Sequence, residues 1–264
     1  MSGLEGKVAI VSGAAQGLGR AFARSLSEVG VKVVVFDVQA SISAVAEEIQ
    51  QATGNQVQGL VADVSQRQDV ERVVRCAAES FGGLDILVNN AGTWRRTPVN
   101  SSWEQALDDW HTIMDTNLKG LLMLSRTCVP LLQTRGGGDI VNISTYYVLP
   151  AKSEGTNGVE TDLYNASKWA LNGFTDAWSK YLFKDNIRVN GLCMGATDTA
   201  MLRGLFADGE LPQGLARTVM QPEQIAQQMI QLLLDGRTGE NIGAWVGEPI
   251  VIGERAPENR RISG

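Results

Sequence analysis

The stretch Lys7-Val8-Ala9-Ile10-Val11-Ser12-Gly13-Ala14-Ala15-Gln16-Gly17-Leu18-Gly19 constrains the fold more than any other part of the chain. Lys7 to Val11 is a short β-branched run that reads as a strand buried on both faces, the pattern of a parallel sheet. Gly13, Gly17 and Gly19 then turn the chain directly into a helix. Leu18, Phe22, Leu26 and Val29 recur at helical spacing, and Gly30 stands where a C-terminal cap belongs. Missing Cβ atoms let backbone N–H groups approach a pyrophosphate, and the helix N-terminus adds a favourable dipole. The spacing is G-x-x-x-G-x-G rather than G-x-G-x-x-G, so the generic dinucleotide fingerprint does not strictly apply. Standing alone, the glycines would describe an ordinary strand–helix turn.

The rest of the chain repeats the strand–helix alternation. Strands are expected near 7–12, 31–37, 56–62, 84–89, 138–144, 187–193 and 244–252, with helices between them, one at about 163–183. This alternation predicts an α/β fold: a single Rossmann-type, doubly wound parallel sheet with helices on both faces and right-handed crossovers. A length of 264 residues suits one such domain with a large core. We expect the domain to span 1–253, followed by a polar, Pro-containing tail over 254–264 that is poorly ordered.

Two further features point to chemistry. Val31 to Phe36 reads as the second strand and ends in Asp37, about 20 residues after the glycine turn, where a carboxylate would accept hydrogen bonds from an adenosine ribose. It would also repel a 2′-phosphate, and no Arg or Lys follows before Arg67, so NAD is expected over NADP. Tyr164 and Lys168 lie four residues apart, on one face of a helix. An ammonium group close to a phenol lowers its pKa, and a tuned tyrosine can move a proton to or from an alcohol oxygen. Alone, Tyr-x-x-x-Lys is usually a solvated helix face; the nucleotide-binding start gives it weight.

On these motifs the chain resembles the short-chain dehydrogenase/reductases of compact type, from about Gly6 to Thr199. Asp63-Val64 resembles the adenine-contacting pair after the third strand, and Asn89-Asn90-Ala91-Gly92 the fourth-strand motif beside the cofactor. Asn117 matches the helix asparagine of the proton relay. Ile140 to Ser144 resembles the strand that delivers the catalytic serine, while Arg188-Val189-Asn190 and Gly195 to Thr199 resemble the segment that holds the nicotinamide. The resemblance implies a cofactor site of Gly13, Gln16, Gly17, Leu18, Gly19, Asp37, Asp63, Val64, Asn90, Ala91, Gly92, Tyr164, Lys168, Gly195, Thr197 and Thr199. It also implies a substrate lid over about 198–220 and a homodimer or homotetramer.

The chain departs from the family's pattern in several places. Ser144 is followed by Thr145 where the family has a serine pair, so Thr145 falls at the catalytic position. Ser144 would serve instead if the strand end were shifted. Thr145 to Tyr164 spans about 19 residues, longer than the family's dozen or so, and the surplus falls in the polar stretch 151–161. Met194 stands in place of a proline, and the C-terminal Asp-Gly-Gly pattern is missing.

The functional expectation is an NAD-dependent oxidoreductase that interconverts a secondary alcohol and its ketone. Tyr164 is the acid–base group, Lys168 its modulator, Thr145 or Ser144 the holder of the substrate oxygen, and Asn117 the support of a water relay. Trp94, Tyr146, Tyr147, Met201 and Leu202 are expected to line an apolar substrate site suited to a cyclic or aromatic molecule. A non-catalytic NAD-binding sensor or scaffold is the alternative, although it would need neither Tyr164 nor Lys168. A longer sugar-nucleotide epimerase would need a substrate domain for which there is little room. The net charge of −6 and the lack of a basic patch argue against nucleic acid. No membrane-length apolar stretch or signal-peptide pattern is present, and three scattered cysteines fit a reducing cytoplasm. The one histidine, His111, is read as structural, and no metal site is expected.

Overall fold

The computed structural model describes residues 3–149 and 158–256. Among them, seven parallel strands form one sheet in the order β3-β2-β1-β4-β5-β6-β7. The strands are β1 (Val8–Ser12), β2 (Lys32–Asp37), β3 (Val57–Val61), β4 (Ile86–Asn89), β5 (Gly138–Thr145), β6 (Ile187–Met194) and β7 (Asn241–Ala244). The longer helices are α1 (Gly17–Glu28), α2 (Ile42–Thr53), α3 (Arg67–Phe81), α4 (Trp103–Met114), α5 (Leu121–Thr134) and α6 (Asp162–Tyr181). The short helices α7 (Ala200–Arg203) and α8 (Gln213–Ala216) precede α9 (Pro222–Asp235).

The β-branched runs form strands because each residue has a core on its own side. Ala9, Val11, Val33 and Val35 pack with Phe22, Leu26, Ile42 and Met229 on one face. Their alternates Val8, Ile10, Val34 and Phe36 pack with Val70, Val73, Leu124 and Leu132 on the other. That period-2 split explains a continuous apolar strand: both faces are covered by helices. The strand order reverses beside β1, which pairs with β2 on one edge and β4 on the other. The crevice at the carboxyl ends of these strands is where such sheets bind ligands.

Two local features differ from the sequence reading. The seventh strand lies at Asn241–Ala244, not 244–252. After Ala244 the chain turns: the Glu248 N–H donates to Trp245 O at 3.2 Å and Gly247 adopts φ +81°. Pro249 then removes a ladder donor, so the sheet cannot continue. The helix between β4 and β5 also contains a π-helical segment, Asp115–Gly120, joining α4 to α5. Such segments are rare and often mark functional sites. Residues 150–157 of the long stretch before Tyr164, and 257–264 of the tail, lie outside the described residues.

Candidate active site

The carboxyl ends of the strands open into a cleft of about 440 Å³. One end is built by the glycine turn. Gly13 has φ +64°, and a Cβ there would stand 2.8 Å from Ala91 Cα. Asn90 closes the turn from β4 by donating through Nδ2 to Ser12 O and Gly13 O, both at 2.9 Å. Ser12 Oγ in turn accepts the Asn90 and Ala91 N–H groups at 3.0 and 2.9 Å. The N-cap of α1, Gln16, makes no side-chain bond to the helix, which leaves the first N–H groups directed at the cleft without a side-chain cap. Gly19 has a different role from the expected one. It does not line the cleft; a Cβ there would lie 2.2 Å from Gly13 O, so it lets α1 pack against the turn.

Asp37 closes β2 and lines the cleft together with Val38, Gln39, Asp63 and Val64. Its Oδ2 accepts the Ala15 N–H at 3.1 Å and its Oδ1 the Gln39 N–H at 3.0 Å. A carboxylate has about four acceptor positions, so hydrogen-bonding capacity remains toward a ligand. Among the described residues, Lys168 is the one Lys or Arg lining the cleft.

The opposite end carries Ser144, Tyr164, Lys168 and Met194. Lys168 is buried; its Nζ donates to Ile143 O at 3.0 Å and lies 5.8 Å from the centre of the Tyr164 ring. Burial pushes the lysine down to about 8. The expected lowering of the Tyr164 pKa is not present in this structure. Burial, and then the nearby Tyr147, push the phenol above its ordinary range, and no contribution from Lys168 offsets them. Tyr164 nevertheless keeps part of its surface open to the cleft.

Asn117 occupies the π-helical segment, behind the cleft wall. Its Oδ1 accepts the Thr93 N–H at 2.7 Å, and its Nδ2 donates to Thr93 O and Ser167 Oγ, both at 3.0 Å. A Cβ on Gly92 would be 3.5 Å from both Asn117 Oδ1 and Lys168 Nζ, so this glycine separates the two.

The two candidate hydroxyls at the end of β5 are not equivalent. Ser144 lines the cleft, yet its Oγ is sealed from solvent and faces the thiol of its ladder partner Cys193 rather than any stronger acceptor. What Ser144 presents to the cleft is therefore not its hydroxyl. Thr145 is 6% exposed, pairs with Met194 across the ladder and stands beside, not in, the lining.

Of the remaining expected residues, Gln16, Gly17, Leu18, Ala91, Gly92, Thr199 and Met201 line the cleft. Gly195, Thr197, Leu202 and Trp94 do not. Tyr146 and Tyr147 also lie outside the lining and form an aromatic group, with ring centres 4.4 Å apart. Trp245, which the sequence did not single out for the site, meets Tyr146 edge-on at 5.4 Å. Thr93, Thr112, Thr116 and Met194 are further additions. Thr93 follows the Asn-Ala-Gly motif directly, which is the one signal that could have found it. His111 is exposed on α4 and does not line the cleft, and no metal-binding cluster occurs among the described residues. No described helix is long and apolar enough to cross a membrane.

A parallel doubly wound sheet with a glycine turn, a strand-end aspartate and a Tyr–Lys pair in one switch-point cleft defines a dinucleotide-dependent oxidoreductase. The short chain dehydrogenase family model matches residues 7–210, and the chain belongs to the short-chain dehydrogenase/reductase family. The chain is 30% identical over 253 residues to a 3-oxoacyl-(acyl-carrier-protein) reductase of Thermotoga maritima, with 91% of this chain and 96% of the relative covered. Among solved structures it is similar to a 7α-hydroxysteroid dehydrogenase complexed with NADH and 7-oxo glycochenodeoxycholic acid. The TM-score is 0.82 at 27% identity, covering 95% of this chain and 97% of that one. It is also similar to the L-sorbose reductase of Gluconobacter frateurii complexed with NADPH and L-sorbose. There the TM-score is 0.80 at 26% identity, with 92% and 96% covered. The protein is thus an oxidoreductase acting on hydroxyl or keto groups with a nicotinamide cofactor.

Proposed function

We propose that the protein is an NAD-dependent oxidoreductase interconverting a secondary alcohol and its ketone on an apolar, cyclic or aromatic substrate. The observation that carries this reading is the placement of Tyr164 and Lys168 in the same cleft as the glycine turn and Asp37. The residues fit a dinucleotide: uncapped α1 N–H groups for the pyrophosphate, and a carboxylate with acceptor capacity for a ribose. NAD is favoured because Asp37 would repel a 2′-phosphate and, among the described residues, no Arg lines the cleft to neutralise one.

A bound nicotinamide would supply or accept the hydride. Tyr164 gives the carbonyl oxygen its proton, or removes it from the alcohol. Lys168 holds positive charge beside the phenol and returns protons from the Asn117 side, and Thr145 donates a hydrogen bond to the same oxygen. Burial keeps the Tyr164 phenol protonated, so in the reducing direction it starts with the proton it has to give. The aromatic group of Tyr146, Tyr147 and Trp245 stands beyond Gly195, whose Cβ position is 3.4 Å from Tyr146, and would form the apolar substrate wall. The segment about 198–220 would close over it: its base is fixed where Thr197 bridges Met220, and Asp198 grips Arg203 at 2.7 Å. A homodimer or homotetramer is supported by Trp103, Leu107 and Trp110, spaced along one face of α4 and 80%, 54% and 50% exposed.

A screen of aromatic, alicyclic, steroid and polyol alcohols and ketones, read by NADH fluorescence, tests the reading. Turnover confined to cyclic or aromatic compounds is expected; a preference for open-chain polyols would overturn the substrate assignment.

A further inference from the structure

We propose that Thr97 and Asp162 are positioning residues that hold the first turn of α6, and with it Tyr164, from outside the helix; this rests on Tyr164 being the proton-transfer group. Tyr164 is the third residue of α6, in a turn whose N-cap side chain does not cap it and whose one side-chain acceptor is Asp162. Thr161 at the N-cap makes no side-chain bond to the helix N–H groups; its hydroxyl instead donates to Gly158 O at 2.8 Å and accepts from Asn165 Nδ2 at 2.9 Å. An uncapped first turn tends to fray, which is a poor setting for a group whose oxygen must be placed to a fraction of an ångström.

The missing restraint comes from the strap that follows β4. Thr97 is buried, and its hydroxyl donates to Asp162 Oδ1, the same oxygen that accepts the Leu163 N–H at 2.7 Å. The Thr97 N–H donates to Glu160 O at 2.8 Å, Thr97 bridges Thr161, and Arg96 pairs with Glu160. The other end of the strap reaches the same helix by a second route. Thr93 grips Asn117 through both backbone groups, Asn117 donates to Ser167 Oγ, and Ser167 donates to Tyr164 O at 2.7 Å. Tyr164 therefore sits between two stitches, at Asp162 and Ser167, and both lead back to residues 93–97. The clasp also uses Glu160 and Thr161, in the stretch that lengthens the interval between the strand hydroxyls and Tyr164. Trp94 lies on the strap between the stitches, so contact of a substrate with the strap would be felt at Tyr164.

The test compares Thr97→Val, Thr97→Ser and Asp162→Asn in the full chain. Hydrogen exchange at the Leu163–Ala166 amides, NADH affinity, thermal midpoint and, with a turnover substrate, kcat and KM are measured. Thr97→Val keeps the shape and removes the donor. It should speed exchange at those amides roughly tenfold, the scale of one lost hydrogen bond to a charged acceptor. It should also lower kcat by a similar factor, with NADH affinity unchanged. Thr97→Ser should restore wild-type values, and Asp162→Asn should fall between. Unchanged exchange in Thr97→Val, or a loss spread equally over the whole chain and over NADH binding, would overturn the proposal. The exchange measurement decides the clasp even if no alcohol or ketone is turned over, whereas failure of the wild-type screen would bear on the reaction alone.

Discussion

Replacing Thr145 by valine should cost far more activity than removing the Ser144 hydroxyl next to it. The two residues sit on consecutive rungs of the β5–β6 ladder, opposite Met194 and Cys193. Successive strand residues face opposite ways, so a substrate oxygen beside Tyr164 can be reached by one of them. Ser144 Oγ is sealed, with the weakly bonding Cys193 thiol as its neighbour. A thiol offsets little of the cost of stripping a buried hydroxyl of water, roughly 1–3 kcal/mol, so Ser144→Ala should be close to neutral in stability. On the proposed reading, Thr145, which stands beside the cleft lining, supplies the donor to the reacting oxygen. Loss of one such donor typically raises the barrier by about 2.7–4 kcal/mol, or roughly 10²–10³ in kcat. Valine keeps the β-branched shape and stiff χ1 at this position, so packing against Met194 should survive. The assay is kcat and kcat/KM for Thr145→Val, Thr145→Ser and Ser144→Ala, with thermal midpoints as a folding control. Thr145→Ser should retain most activity. A crippled Ser144→Ala beside an active Thr145→Val would refute the reasoning and show that the strand end shifts on substrate binding.

Asp37→Asn should reduce discrimination between cofactors by removing the charge that opposes a 2′-phosphate; kcat/KM with NAD and NADP measures it, and equal use of both by the wild type would remove Asp37 from the ribose site. Lys168 has a folded pKa depressed to about 8 from 10.5, so between those values the unfolded chain binds more protons than the folded one. Stability should therefore rise with pH across that window, and Lys168→Met should lose that rise and be the more stable variant near pH 7; chemical unfolding at both ends of the window checks the sign. Arg237, 2% exposed, bonds Asp235 and Glu240 and the carbonyls of Ile252 and Gly253. Arg237→Met should destabilise by about 1–3 kcal/mol in urea and expose residues 251–256 to protease, since it removes the bonds to the Ile252 and Gly253 carbonyls and leaves Asp235 with Arg255 and Glu240 with the Ala256 N–H.

The parts of the fold legible in the sequence are those set by local pattern. Val8 to Val11 and Val33 to Phe36 had to be two-sided strands because nothing polar interrupts them, and Gly13 and Gly17 had to make the turn. The Tyr164–Lys168 spacing gave one helix face directly. What depends on distant partners was not legible. The π-helical segment at Asn117 has the same periodicity as the α-helix around it. Gly19 looked like a pyrophosphate glycine, and only its approach to Gly13 O shows that it serves packing. The seventh strand was displaced because Val246, Ile250 and Ile252 are apolar; they pack against the core without joining the sheet. The pKa of Tyr164 follows burial in a cleft wall, which no four-residue spacing reports.

The central claim is that Tyr164 moves the proton in an NAD-dependent reaction, and Tyr164→Phe tests it most directly. The ring stays and only the hydroxyl is lost, so NADH should bind with wild-type affinity. Turnover of the substrate found by screening should fall by roughly 10²–10⁴-fold, the usual contribution of a general acid–base group. Turnover within about tenfold of wild type, with NADH still bound, would contradict the account, because acid–base catalysis by this residue could not then supply its usual share.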